Sequence, residues 1–226
     1  HDSAAHCGIQ MKHLKFLLLV GALCLVTTGC QSRRSLTVQQ RPDSPQNWFL
    51  PTNPGRVMRR VAMLPVYHAR IPGETLKDID TALVAELSKK AVFEVVPLSR
   101  TEMEGLIGVR EISSVERIPG DLFRKLQEQF GVEGVMLTDL THYSPYRPVS
   151  VGVRSKLVDI ESGRIHWASD VLLDSSNAGV AAAAREYQKV LCKDNFPIQG
   201  DGGTVLMSPR LFVKFAAFSN YVSLQR

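Results

Sequence analysis

The spacing of hydrophobic and polar positions along this 226-residue chain changes from segment to segment, and each change indicates a new secondary-structure element. Residues 60–66 form a continuous apolar run of strand length, which is typical of a strand buried on both faces. Residues 74–90 instead carry apolar side chains at intervals of three and four, which predicts a helix with one buried face. A second short apolar run at residues 92–96 predicts the next strand.

The middle of the chain continues this alternation of strands and helices. Ser99 and Glu102 have the spacing of a capping box, in which each side chain binds the backbone amide of the other residue, and they predict the start of a short helix. Residues 121–130 predict another helix, which ends at Gly131. The apolar stretch at residues 132–140 predicts a third strand.

The last third of the chain predicts a hairpin followed by two helices. Hydrophobic residues alternate with polar ones over residues 149–160 and 164–173, and a short turn that contains Gly163 separates the two stretches. Two alternating segments joined in this way are typical of a β-hairpin. Residues 178–192 and 208–224 then predict helices, the first rich in alanine and the second in phenylalanine.

This order of elements, β-α-β-α-α-β-β-β-α-α, predicts the fold class. The early β-α-β units require parallel neighbouring strands with right-handed crossovers. The hairpin adds antiparallel strands. The sequence therefore predicts an α/β fold of the mixed α+β kind, as a single domain over residues 58–226. We expect a mixed sheet of about five strands with an antiparallel hairpin at one edge, helices packed on the sheet and further helices at the carboxyl end.

The start of the chain has the pattern of a secretory leader. Lys12 and Lys15 precede an apolar run over residues 16–26, which is followed by small residues and Cys30. A positive segment, an apolar segment of about 7–15 residues and small residues before a cleavage point define such a signal. The apolar run is shorter than the roughly 20 residues that a membrane-spanning helix needs. We therefore assign residues 1–29 to an upstream extension and a signal peptide.

The end of this leader resembles the lipobox of bacterial lipoproteins. Gly29 and Cys30 occupy the cleavage point, and Thr27 stands where the lipobox usually has Leu. The resemblance implies cleavage between Gly29 and Cys30 and acylation of Cys30, so that membrane lipid is the first expected partner. Gln31 follows the cysteine, and in enteric-type sorting a residue other than Asp there implies the outer membrane. The expected location is the outer membrane, with the domain facing the periplasm.

Residues 30–57 predict a flexible linker between this anchor and the domain. The segment is polar and rich in Pro, Gln, Ser and Asn, without apolar periodicity. As a coil it would average ~30 Å from end to end, and it could reach ~90–100 Å when stretched. Its single apolar cluster, Trp48-Phe49-Leu50, either docks on the domain or sits at the lipid interface. Cys192 is the one cysteine left after Cys30, which excludes a disulfide framework.

The charge of the chain argues against nucleic acid as a partner. Removal of residues 1–29 takes away Lys12, Lys15 and Asp2, and it leaves 25 basic and 21 acidic side chains, a net charge of +4. Nucleic-acid binding needs basic residues gathered in one patch. Here they are spread along the chain, so we expect an ordinary solvated surface.

The predicted domain resembles a group of periplasmic and outer-membrane lipoproteins that includes the amino-terminal domain of TolB, CsgG, LpoB and FlgO. The opening strand at residues 60–66 carries the likeness first, followed by the strand 93–97 with Ser99-Arg100 after it. The third feature is the stretch 126–138 with a later hairpin that has Asp159, Ser162 and Gly163 in its turn and ends in Trp167. The resemblance covers residues 58–173. It implies the fold, whereas folds of this kind host many functions.

No catalytic motif is present in the sequence, so we predict no catalytic residues, no metal site and no cofactor. Gly-x-Ser-x-Gly, His-Glu-x-x-His, the phosphate-binding Gly-x-x-x-x-Gly-Lys and Cys-x-x-Cys are all absent. His68 follows the first predicted strand, and Asp139 and His142 lie at the end of the third. If those strands are parallel neighbours, these side chains meet at the carboxyl edge of the sheet, where α/β folds place ligands.

Two functions of different classes are compatible with these observations. The first is a non-catalytic, lipid-anchored module that binds envelope proteins, with Tyr143, Tyr146 and Arg147 as its interaction surface, because aromatic and Arg residues dominate interfaces. The same loop could equally be a connection stiffened by proline. The second is a domain that binds or hydrolyses a small ligand at the His68/His142 edge. A concave pocket that joins both histidines and Asp139 favours the second function. The oligomeric state stays open.

Overall fold

A computed structural model of the chain describes residues 42–52, 57–73, 76–191 and 203–224. The leader, the predicted lipidation site at Cys30, the first part of the linker and Cys192 lie outside the described residues. Among the residues that are described, no helix is both long and apolar enough to cross a membrane.

Six strands form one mixed sheet, which confirms the predicted α/β fold class and adds one strand to the expected number. The order in space is β1-β6-β5-β4-β2-β3, in which β2 runs parallel to both β3 and β4 and the other neighbours are antiparallel. The strands are β1 (Asn47–Phe49), β2 (Arg60–Met63), β3 (Glu94–Pro97), β4 (Gly134–Ser144), β5 (Ser150–Asp159) and β6 (Ile165–Asp174).

The helices pack on both sides of this sheet. We call the side against α1, α4 and α5 the inner face and the opposite side, against α2 and α3, the outer face. The helices are α1 (Lys77–Lys89), α2 (Arg100–Ile107), α3 (Leu122–Phe130), α4 (Ala178–Leu191) and α5 (Pro209–Asn220), with 3-10 helices at Gly203–Leu206 and Tyr221–Ser223. Ser99 and Glu102 form the predicted capping box at the start of α2, with each side chain bonded to the other's backbone amide.

The apolar run that opens the domain is buried on both faces, as its sequence predicts. Val61 and Met63 of β2 belong to the core on the inner face. Ala62 and Leu64 belong to the separate core on the outer face. Because each residue of a strand points to the opposite side from the one before it, a run with no polar member needs cover on both sides. β2 receives that cover because it lies between β3 and β4 in the middle of the parallel region.

The β5–β6 hairpin turns as its motif predicts. The side chain of Asp159 accepts a hydrogen bond from the Ser162 amide at 2.8 Å, and Gly163 has a φ of +68°, a left-handed conformation that favours glycine. Trp167 is fully buried on the inner face, and its Nε1 donates to Ser223 Oγ at 3.1 Å. This contact ties the 3-10 helix Tyr221–Ser223 to β6.

The chain joins the sheet upstream of the predicted domain boundary at residue 58. β1 pairs antiparallel with β6, and the side-chain amide of Gln46 both donates to the Leu172 carbonyl (2.9 Å) and accepts from the Leu172 amide (2.8 Å). The segment Trp48-Phe49-Leu50 therefore docks on the domain through its backbone, while its three side chains remain exposed. Hydrophobicity alone could not reveal this strand, because its contribution to the fold is backbone pairing at an edge.

Candidate functional site: a cleft at the carboxyl edge of the parallel strands

The topology marks one position on the sheet edge as special. From β2 the chain passes through α1 on the inner face to β3, and from β3 it passes through α2 and α3 on the outer face to β4. β3 and β4 lie on opposite sides of β2, so the strand order reverses at β2. Ligands in open α/β sheets bind at the carboxyl ends of strands where such a reversal occurs.

A cleft of about 530 Å³ lies at this position and joins the three residues that the sequence analysis selected for the sheet edge. His68 follows β2, while Asp139 and His142 lie on β4, and all three contribute to the walls. The remaining lining residues are Tyr67, Ala69, Arg70, Ile71, Ser113, Val115, Leu140, Thr141, Tyr143 and Arg154. A parallel bridge between Tyr67 and Asp139 continues the pairing of the two strands beyond β2 and brings the two walls together.

A β-bulge in β4 places His142 on the outer face beside the other cleft residues. Leu140 pairs with Val153, and the next pair is His142 with Gly152, so Thr141 is the extra residue. Leu140 and Val153 belong to the inner core, and strict alternation would turn His142 to the same side. The inserted residue reverses the alternation and puts His142 on the face that also carries Asp139. Bulges frequently redirect side chains next to functional sites.

Asp139 is buried and its carboxylate is occupied by the loop that forms one wall of the cleft. Its oxygens accept hydrogen bonds from the Ser113 hydroxyl (3.2 Å), the Ser114 amide (2.7 Å) and the Ser114 hydroxyl (2.6 Å). Lys156 on β5 donates to the Ser114 carbonyl; burial lowers the pKa of Lys156, and the charge of Asp139 acts against this shift. Asp139 therefore holds the loop between α2 and α3 in place. Sequence reasoning missed Ser113, Ser114 and Lys156, because no local motif links them to Asp139.

His68 acts as an acceptor for its own turn. Its Nδ1 accepts hydrogen bonds from the amides of Arg70 and Ile71, both at 3.0 Å. Burial, followed by the positive charge of Arg70, lowers the pKa of His68. An Nδ1 that accepts two amides carries no proton, so the neutral ring holds its proton on Nε2. The cleft therefore contains a ring N–H donor at His68.

Two arginines give the cleft its positive character. The Arg70 guanidinium is exposed at the mouth, next to His68. Arg154 on β5 donates from Nε (3.1 Å) and Nη2 (3.0 Å) to one oxygen of Asp170 on β6.

The second histidine of the cleft, His142, has a partner on β5: its Nε2 lies 2.7 Å from Ser150 Oγ.

The outer face is covered over only half of its width. We call the other half, which carries Arg154 and Lys156 of β5, Asp170 and Leu172 of β6 and Phe49 of β1, the open face. Within the described part of the chain, no helix packs on it. The pairing registers place Asp139, Arg154 and Asp170 side by side across three strands, so the cleft and the open face form one continuous surface. Leu172 is 54% exposed and Phe49 is 49% exposed.

The loop that the sequence analysis proposed as an interaction surface is divided by the structure. Tyr143 is half-buried and packs against the inner core, and burial raises the pKa of its hydroxyl. Tyr146 is 82% exposed at the tip of the β4–β5 hairpin, and Arg147 beside it is also exposed. Tyr146 and Arg147 are therefore accessible to a partner, whereas Tyr143 lines the cleft.

A second cleft of about 590 Å³ lies on the opposite side of β2, between α1 and α2. It contains Arg100, which is 9% exposed and donates to Asp80, to Glu111 (2.8 Å) and to the Val66 carbonyl (2.8 Å). Burial lowers the pKa of Arg100, but the hydrogen bonds to Asp80 and Glu111 more than offset this effect and raise it. In the sequence, Arg100 stands out only as part of the Ser99-Arg100 motif, because its two carboxylate partners, Asp80 and Glu111, come from other segments.

Among the described residues, no group of three or more His, Cys, Asp or Glu side chains is placed to hold a metal ion.

No protein-family model and no curated protein matches the sequence of the chain. Several solved structures are similar to it. They include the lipoprotein GNA1162 from Neisseria meningitidis, at 17% identity over 62% of this chain and 99% of that one, with a TM-score of 0.38. The carboxyl-terminal domain of LpoB from Salmonella enterica has 13% identity, covers 53% of this chain and 85% of that one, and has a TM-score of 0.34. TolB from Acinetobacter baumannii has 12% identity, covers 63% of this chain and 30% of that one, and has a TM-score of 0.33.

Proposed function

We propose that the protein is a lipid-anchored, non-catalytic interaction module of the bacterial cell envelope, whose open face binds a partner protein. The leader and Cys30 supply the expected anchor, at the outer membrane and facing the periplasm. The single observation that carries the interaction is the half-covered outer face. β5 and β6 bury their inner side in the core, yet Leu172 on the outer side of β6 and Phe49 on β1 are about half exposed.

The chemistry of the open face fits a protein partner with an apolar contact surface. The exposed side chains of Leu172 and Phe49 flank the ion pair between Arg154 and Asp170. Protein interfaces combine an apolar centre with aromatic and Arg residues and a polar rim. Tyr146 and Arg147 at the hairpin tip extend the accessible surface, so the proposal retains two of the three predicted interaction residues.

Photocrosslinking in cells tests this docking face. A photoreactive amino acid at Leu172 or Phe49 is expected to capture one defined envelope protein, whereas the same group at Arg124 on α3, which is also exposed, is expected to capture none. Leu172→Asp should abolish the capture from position 49 without unfolding the domain. Equal capture from position 124, or a crosslinked species of twice the chain's own mass, contradicts the proposal, because the second result identifies another copy as the occupant.

The lipid anchor has its own test. Cys30→Ala removes the proposed acylation site, and the protein is expected to move from the membrane fraction to the soluble periplasmic fraction. Two or more acyl chains are needed for stable attachment, so loss of the cysteine should release nearly all of the protein. Cys24→Ala, which lies in the segment expected to be cleaved, is the matched control. Retention of Cys30→Ala in the membrane fraction after the leader has been removed refutes the anchor.

A second candidate function is the binding of a small ligand in the cleft, and one specific observation favours it. The cleft joins His68, Asp139 and His142 at the point where the strand order reverses, which is the arrangement expected of a ligand-binding sheet edge. Its volume of about 530 Å³ falls in the range typical of small-molecule sites. Hydrolysis has less support than binding, since the carboxylate of Asp139 is already bonded to Ser113 and Ser114.

A further inference from the structure

We infer that the cleft binds a small molecule through an oxyanion group, a carboxylate or a phosphate, held between Arg70, Arg154 and the ring N–H of His68. This inference rests on the second candidate function, ligand binding at the cleft, and it names the chemical class of the ligand. Arg154 also belongs to the open face, so the docking of a partner protein is tested separately, by crosslinking from Leu172.

The balance of charge in the cleft walls favours an anion. Arg70 and Arg154 are the permanently charged cations of the lining, and Asp139 is its only carboxylate among the described residues. Asp139 keeps its negative charge, but its oxygens accept hydrogen bonds from Ser113 and Ser114 in the wall. The lining therefore has two cations and one anion. An excess of positive charge in a cleft concentrates anionic ligands.

The hydrogen-bond donors of the walls point to the same class. Arg154 donates from Nε and Nη2 to Asp170, and its Nη1 has no hydrogen bond within the described part of the chain. The Arg70 side chain is exposed, and the hydrogen bond from Arg70 to His68 comes from the backbone amide. The guanidinium of Arg70 is therefore available to a ligand. His68 accepts at Nδ1 and so offers Nε2–H as a donor. Guanidinium groups bind carboxylates and phosphates through paired, charge-assisted hydrogen bonds.

The framework around the cleft fixes one wall loop and the His68 ring without a ligand. Asp139 and Lys156 fix the loop that forms one wall, and the two amide bonds to Nδ1 fix the orientation of the His68 ring. The bulge at Thr141 brings His142 to the same side. A site that is already ordered loses less entropy when a ligand binds. The cleft has room for an organic body beside the oxyanion group.

Calorimetric titration of the full-length chain in detergent micelles tests the inference, with inorganic phosphate and succinate as the probes. We expect saturable binding of one equivalent of at least one probe. Arg70→Gln and Arg154→Gln should each weaken it about tenfold, the usual effect of losing one charge-assisted hydrogen bond. Arg124→Gln on α3, which removes the same charge far from the cleft, should leave the affinity unchanged. Absence of saturable binding of both probes, or equal affinities for all three variants, overturns the inference.

A second measurement locates the anion and identifies its source. Nuclear magnetic resonance of the histidine-labelled chain in bilayer nanodiscs reports on His68 and His142, whose signals are assigned with His68→Asn and His142→Asn. If the signals shift when phosphatidylglycerol replaces part of the phosphatidylcholine, a lipid headgroup supplies the oxyanion. If they shift only when free phosphate is added, a soluble molecule supplies it. If neither addition moves either signal, the inference is wrong, while crosslinking from Leu172 still decides the proposed function separately.

Discussion

Arg100 and Arg154 lie at the same edge of one sheet, yet their surroundings differ in every respect that matters for function. Arg100 lies under the covered half, is 9% exposed, and donates to two carboxylates and a backbone carbonyl. Arg154 lies on the open half and is partly exposed to solvent. It donates to one carboxylate oxygen of Asp170, and its Nη1 is available to another acceptor. The first arginine completes a closed internal network, and the second leaves binding capacity at the surface.

This difference shows that one half of the sheet can contribute mainly to the stability of the fold while the other half remains available for binding. The covered half buries both faces of β2, so any polar group there must find its partner inside the protein. On the open half, the outer side of β6 and of β5 at Arg154 and Lys156 has no helix packed on it in the described part of the chain, so polar groups there can be solvated instead. Substitutions on the covered half should therefore change the free energy of unfolding, and those on the open half should change binding.

The largest expected effect comes from Arg100→Ala. The substitution leaves Asp80 and Glu111 without their cation in a partly buried site, and breaking a buried pair in this way costs about 3–5 kcal/mol. Arg154→Ala should cost no more than about 1 kcal/mol, because its pair with Asp170 is exposed to solvent. Urea denaturation followed by circular dichroism measures both. Similar losses for the two variants would remove the distinction between the halves.

The next largest effect is expected from a matched pair of leucines on the outer face. Leu137 is fully buried in the core beneath α2 and α3, and Leu137→Ala should cost about 2–5 kcal/mol. Leu172 lies on the same face over the open half and is 54% exposed, so Leu172→Ala should change the free energy of unfolding by about 0.5 kcal/mol or less. The same denaturation measurement decides the comparison. A large loss for Leu172→Ala would mean that the open face is part of the core.

A smaller effect is expected at the turn beneath the cleft. His68→Ala removes the acceptor for the amides of Arg70 and Ile71, and it should cost about 1 kcal/mol, the typical net value of such a bond. His68→Asn should restore most of this stability, because an Asn oxygen can accept from amides two and three residues ahead. Equal stabilities of the Ala and Asn variants would show that the ring packs in the turn without serving as its acceptor.

The smallest expected effect is the dependence of stability on pH at the same residue. The pKa of His68 is lowered in the folded state from its ordinary value of 6.5, so below pH 6.5 the unfolded chain binds more protons than the folded one. The contribution of His68 is therefore complete above pH 6.5 and is lost as the pH falls from there through its folded-state pKa. The stability difference between the wild type and His68→Asn should shrink or reverse over this window. A constant difference from pH 7.5 to 5 contradicts the assignment.

Much of the fold could be predicted because it depends on local spacing. The run at β2, the capping box at Ser99, the turn at Gly163 and the burial of Trp167 all follow from residues close together in sequence. The candidate site was predicted in part for the same reason. His68, Asp139 and His142 follow strands that a β-α-β order makes neighbours, and they do meet in one cleft.

The sequence by itself determined the fold class, the position of the hairpin turn, and the expectation of an anchor at Cys30, because each depends on periodicity or on a short contiguous motif. Only the tertiary structure decided which polar side chains have hydrogen-bond partners inside the protein and which remain available to a ligand or a partner protein. The bulge at Thr141, the bonds from the wall loop to Asp139 and the pairing of β1 with β6 all join segments far apart in the chain. Contacts of this kind depend on how the sheet twists and packs as a whole, which no local pattern of residues records.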